Sequence, residues 1–136
     1  MIDEEMIDEE MIEKNMSEFK RHNFKKLKIW QMAMELAKEI FKISSSFPSS
    51  EKFGLTSQMN RCSVSMPSNI AEGSSRTNKS FSHFLDISLG SSFELQTQLL
   101  LANSQNYIAD ELSQYIENKI EEFQKATMSF QNALNQ

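Results

Sequence analysis

The chain has 136 residues, enough for one domain with a proper core and too few for two. A single Cys cannot close an internal disulfide, and one Cys with two His falls short of a structural zinc set, so no metal, no cofactor and a reducing cytoplasm are expected. The net charge of −5 is unevenly spread, no apolar run approaches the length of a membrane span, and no Val/Thr/Tyr-rich run between hairpin turns suggests a strand.

The first segment, MIDEEMIDEEMIEKNMSEFK, places Met at 1, 6, 11 and 16. A five-residue period turns about 140° per unit on an α-helix, so its Met and Ile residues scatter around the axis. Residues 1–18 carry eight acidic groups against one Lys, while the remainder carries 13 basic against 11 acidic groups. We expect residues 1–18 to be a solvated, disordered extension and residues 19–136 to be the folded domain. An acidic arm shielding the adjacent basic cluster is the alternative, and Met16 is an alternative start.

Four helices are predicted next. The first runs from about Phe24 to Ser46, with Ile29, Ala33, Leu36, Ile40, Ile43 and Phe47 as its seam and Trp30, Met34, Ala37 and Phe41 as a second stripe. The second covers Leu55 to Glu72, closed by Gly73 as a C-cap. The third runs from about Asn78 to Gln105, capped by Thr77 or Asn78, with Phe81, Leu85, Ser88, Ser92, Leu95, Leu99 and Ala102 inward. Small residues Ser88, Gly90, Ser91 and Ser92 would let a neighbouring helix come close. The fourth, Asp110 to about Asn135, turns Leu112, Ile116, Ile120, Phe123, Thr127, Phe130 and Leu134 inward. Short connections make this an all-α, antiparallel up-down-up-down four-helix bundle. The second stripe of the first helix, with Leu89, Phe93 and Leu100 on the third, exceeds what one bundle buries and points to self-association.

The unusual chemistry lies within the second helix. Pro67 removes a helix hydrogen bond and clashes with the preceding turn, at about 3 kcal/mol, so a bend is expected there. Gln58, Arg61, Asn69, Glu72, Arg76 and Glu94, with Pro67, form the candidate polar network for bundle and subunit contacts. Cys62 sits on the apolar seam and is expected as a buried structural thiol rather than a nucleophile. With no paired-carboxylate, metal-ligand or phosphate-loop motif, no catalytic residue is assigned and no enzyme is expected.

The stretches FGLTSQMNRCSVSMPSNIAEGSSR and FSHFLDISLGSSFELQTQLLLA, with Phe24, Leu27 and Trp30 ahead of them, closely resemble the four-helix-bundle proteins encoded within intervening sequences of bacterial 23S ribosomal RNA genes. The resemblance covers about Phe24 to the C-terminus. It implies a ring-like homopentamer, and a likeness to the nucleic-acid-binding accessory protein of diversity-generating retroelements. Cys62 and Ser63 stand where the family has a small Ala pair, Met66 replaces a branched aliphatic, and residues 1–18 have no counterpart.

The expected function is therefore a non-enzymatic, oligomeric nucleic-acid-binding accessory protein, with RNA the expected ligand. Lys20, Arg21, Lys25, Lys26 and Lys28 are the candidate phosphate contacts, repeated around a ring. The alternative is an oligomeric scaffold that docks a partner protein and binds no nucleic acid.

Overall fold

The computed structural model describes residues 23–136. The acidic repeat, Lys20 and Arg21 lie outside the described residues. Asn23 opens the fold by accepting the Lys25 N–H at 3.2 Å, which caps a 3₁₀ turn over Phe24–Lys26. Leu27 is extended, and α1 begins at Lys28 and ends at Ser44. The helix start expected at Phe24 is thus a separate step in the chain. Gln31 Nε2 clasps the Lys25 carbonyl at 2.9 Å and holds that step against α1.

A second 3₁₀ turn, Ser49–Glu51, leads to α2, Leu55–Ser74. Glu51 Oε2 accepts the Leu55 N–H at 3.2 Å, satisfying one of the free donors at the start of α2. Helix α3, Asn78–Ser104, is capped by Thr77, whose hydroxyl accepts the Ser80 N–H at 3.3 Å. It ends where Asn106 takes a left-handed φ of 63°, with the Tyr107 N–H reaching back to the Ala102 carbonyl at 3.0 Å. Helix α4, Asp110–Leu134, begins with Asp110 and Glu111, charges that favour a helix N-terminus. Among the described residues the structure is all-helical, with four α-helices around one core, in agreement with the expected four-helix fold.

All seven inward positions predicted for α3 are buried. The five apolar ones share one core with Ile29, Ala33, Leu36 and Ile40 of α1, Met59, Met66 and Ile70 of α2, and Ile116, Ile120 and Phe123 of α4. Ser44 takes the interior place at the end of α1 and donates to Asn60 Oδ1 at 2.9 Å, leaving Ile43 half-buried. Leu112 departs from expectation and is exposed. Ser113 takes the inward place in that first turn instead, Ile108 is buried in the preceding loop, and Tyr107 packs against Phe47 with ring centroids 5.4 Å apart.

Gly73 also differs from expectation. It lies inside α2, with Ser75 as the C-cap and no positive-φ glycine among the described residues. A Cβ at position 73 would stand 2.7 Å from Phe81 Cδ1 and 2.8 Å from Phe84 Cβ. Glycine is there for a close approach between helices, not for a left-handed turn. Gly90 has open space around it, whereas Ser88 does bring its helix in, donating to the Met66 carbonyl at 2.9 Å. Pro67 is buried within a continuous α2.

Candidate functional site

Lys25, Lys26 and Lys28 stand exposed on the 3₁₀ turn and the first residue of α1. Phe24 packs edge-on against Trp30 with centroids 5.4 Å apart, and Lys25 Nζ lies 6.0 Å over the Phe24 ring. The clasp from Gln31 and the aromatic pair give the basic turn a fixed base. Lys28 also borders a groove shared with Glu35, Lys119 and Glu122, so its surroundings are of mixed charge.

A second constellation lies between α2 and α3. Gln58, Arg61, Cys62 and Ser65 follow the i, i+3, i+4, i+7 spacing that shares one helix face, and Ser91, Glu94 and Gln98, at i, i+3 and i+7, share a face across from them. Together they line an open polar groove of about 370 Å³. The two helices are joined beside it: Ser91 Oγ donates to Ser65 Oγ at 2.8 Å, and Asn69 Nδ2 donates to the Ser65 hydroxyl and carbonyl, both at 2.9 Å.

Cys62 is half-buried on this groove rather than sealed in the core. Its thiol meets Glu94 Oε2 at 3.5 Å, and Gln98 Nε2 meets its sulfur at 3.5 Å. Burial pushes the thiol above its ordinary value, the Gln98 contact lowers it, and the Glu94 hydrogen bond and charge raise it. The Cys62 sulfur is therefore held as a neutral thiol, the unreactive form.

The predicted polar residues thus fall into separate places. Gln58, Arg61 and Glu94 share the groove, and Asn69 joins its edge through Ser65. Glu72 and Arg76 instead pair with each other one turn apart, with the Arg76 guanidinium 5.3 Å over the Phe84 ring. Pro67 lines a different, largely apolar groove between α1 and α2, with Trp30, Met34, Phe41, Val64 and Ala71. Sequence reasoning missed Ser65, Ser91 and Gln98. Their signal was present as polar stripes at helical spacing one position off each apolar seam.

No group of three or more His, Cys, Asp or Glu among the described residues is arranged to hold a metal ion, and no helix among them is long and apolar enough to cross a membrane. Fold and surface of the described residues define a class: a small all-helical domain with a basic turn at the head of its first helix and a polar groove between its second and third. The chain belongs to the 23S rRNA-intervening sequence protein family, whose model matches residues 25–129. It is similar in fold to a crystal structure of a protein of unknown function from the S23 ribosomal protein family of Bacteroides thetaiotaomicron, with 24% identity, a TM-score of 0.71, and coverage of 76% of this chain and 95% of that one. No curated protein matches the chain in sequence.

Proposed function

We propose that the protein is a non-enzymatic, self-assembling RNA-binding accessory protein of the cytoplasm. One observation carries this reading: Lys25, Lys26 and Lys28 are exposed on the first 3₁₀ turn and the start of α1, and none has an ion-pair partner among the described residues. Cations held in place and left unneutralised suit a phosphate backbone, which releases its counterions to them. The reference to 23S rRNA in the family's name supports RNA as the ligand.

Self-assembly belongs to the same reading. Phe41, Val64, Phe93, Leu100 and Leu101 are all exposed by about two fifths or more, a share of apolar surface that suits subunit contacts. In a homopentamer, the number that the family resemblance implies, the basic turn would recur five times around a ring. The antiparallel course of the bundle is likewise our reading. It is supported by cross-helix hydrogen bonds whose partners descend on one helix as they ascend on the other, such as Gln131 to Ser82 and Gln124 to Gln96.

A salt-series titration of single-stranded RNA against the full chain tests the assignment, with a chain starting at Met16 and the triple variant K25A/K26A/K28A as companions. The triple variant is expected to bind more weakly and to flatten the log–log salt slope by about 2, at roughly 0.7 per lost phosphate contact on single strands. Removing the acidic repeat is expected to strengthen binding. Unchanged affinity in the triple variant would remove these lysines from the interface. The apolar α1–α2 groove supports the second reading, a scaffold for a partner protein; a partner that survives nuclease treatment in a pull-down, with no RNA binding by either chain length, would favour it.

A further inference from the structure

Two opposite charges border the α2–α3 groove without being joined to each other. Arg61 has no ion-pair partner among the described residues, and Glu94 accepts only the long contact from the Cys62 thiol. Both face the same opening. No ion pair joins them, so both charges are available to a ligand. Gln98 is nine-tenths buried beside them, and its Oε1 is closed off from solvent with no hydrogen-bond partner. A buried acceptor without a donor is a standing cost that a bound donor can relieve. The groove therefore offers a guanidinium fork and a carboxylate around a space of about 370 Å³, with an unpartnered amide acceptor buried in its wall.

Guanine carries the complementary pattern. Its N1–H and N2–H₂ groups form a donor pair that both oxygens of one carboxylate can accept, and its O6 and N7 form an acceptor pair that an arginine fork can fill. Adenine mixes one donor with acceptors on both edges, which suits an amide rather than a carboxylate or a guanidinium. We propose that the α2–α3 groove binds an unpaired guanine base, Glu94 taking the N1/N2 edge and Arg61 the O6/N7 edge. Gln98 adds its acceptor after a turn about its terminal torsion, which is soft for this side chain. The base can arrive on a free nucleotide or splayed from single-stranded RNA, where unstacked bases are read by their edges. In the second case the site supplies sequence preference to the RNA-binding reading and rests on it.

Calorimetric titration of the full chain with GMP, AMP, CMP and UMP tests the site, and U-tract RNAs with and without one central G separate the two sources. GMP is expected to bind at least about tenfold more tightly than AMP, the discrimination of one good bidentate pair. Glu94→Gln should abolish that preference, since an amide presents one donor where two acceptors are needed. Arg61→Lys, which keeps the charge and loses the fork, should weaken GMP several-fold. Both positions are exposed, and circular dichroism checks that the variants keep their helices. Equal or absent binding of all four nucleotides by the folded wild-type chain overturns the proposal, as does a Glu94→Gln chain that still prefers GMP. GMP selectivity without RNA binding supports the groove as a free-nucleotide site and sinks the RNA reading instead. RNA binding indifferent to the central G, with no GMP binding, leaves the RNA reading standing and sinks this site.

Discussion

Helix α2 is flanked by two grooves of opposite character. Toward α1 it presents Val64, Pro67 and Ala71 against Trp30, Met34 and Phe41, an open surface with little for water to bind. Toward α3 it presents Gln58, Arg61, Cys62 and Ser65 against Ser91, Glu94 and Gln98, a surface lined with donors and acceptors. The same backbone carries both, because residues three and four apart share a helix face and neighbouring faces are chosen independently. The apolar groove gains free energy when another surface covers it. The polar groove gains little from mere covering, since water already satisfies its groups, and only a ligand of matching pattern improves on water.

The largest test of that contrast acts on the apolar side. Phe41→Glu combined with Val64→Glu places two charges on side chains that are 47% and 44% exposed, so the bundle itself should still form. Under the proposed self-assembly, light scattering is expected to show a wild-type oligomer reduced to monomer in this variant while the helical circular dichroism persists; unchanged mass would mean that this groove is not a subunit surface. The companion change Gln58→Ala, in the polar groove, should leave the mass unaltered.

Gly73→Ala probes the contact that sets how closely α2 and α3 approach. The added methyl would overlap Phe81 and the Phe84 Cβ, and overpacking of this kind costs about 1–3 kcal/mol. Urea denaturation reads the loss as a lower midpoint, and an unmoved midpoint would show that the two rings yield freely.

The smallest effect lies at Cys62. Its thiol is held above the ordinary value of 9.0, chiefly by burial, so at pH 8 it should react with iodoacetamide more slowly than a cysteine in a short peptide. The folded state keeps this proton more firmly than the unfolded chain. Its contribution to stability is therefore complete below the ordinary thiol value and is lost as pH rises through the unfolded and then the folded value. Alkylation at the peptide rate would place Cys62 outside the surroundings described.

The sequence disclosed most where a residue's partners follow from its spacing. Phe81 to Ala102 on α3 alternate by four and three without interruption, and every one is buried because α3 touches both α2 and α4. Leu112 kept the same spacing yet is exposed, because its neighbour Ser113 takes the inward place at the start of α4. Gly73 illustrates a different limit. A glycine near the end of a helical pattern reads alike whether it is needed for a left-handed turn or for a close contact, and only the position of Phe81 and Phe84 tells them apart. The polar groove was half legible for a related reason. Arg61 and Glu94 stood out as charges, while Ser91 and Gln98 looked like any solvated face until α2 was set opposite them.

The Gly73 contact has a consequence for how the chain comes together. Residues 75–77 are the whole link between α2 and α3, so docking these two helices closes a very short loop. Helices α1 and α4 also touch, yet 65 residues separate the end of one from the start of the other. Closing that span from an open chain carries the larger entropic cost. Once α2 and α3 are docked, much of the span is already folded back on itself, and the remaining closure is that of two short connections. The missing methyl at position 73 therefore lets the α-helix pairing with the shortest connection in the chain also be a tight one.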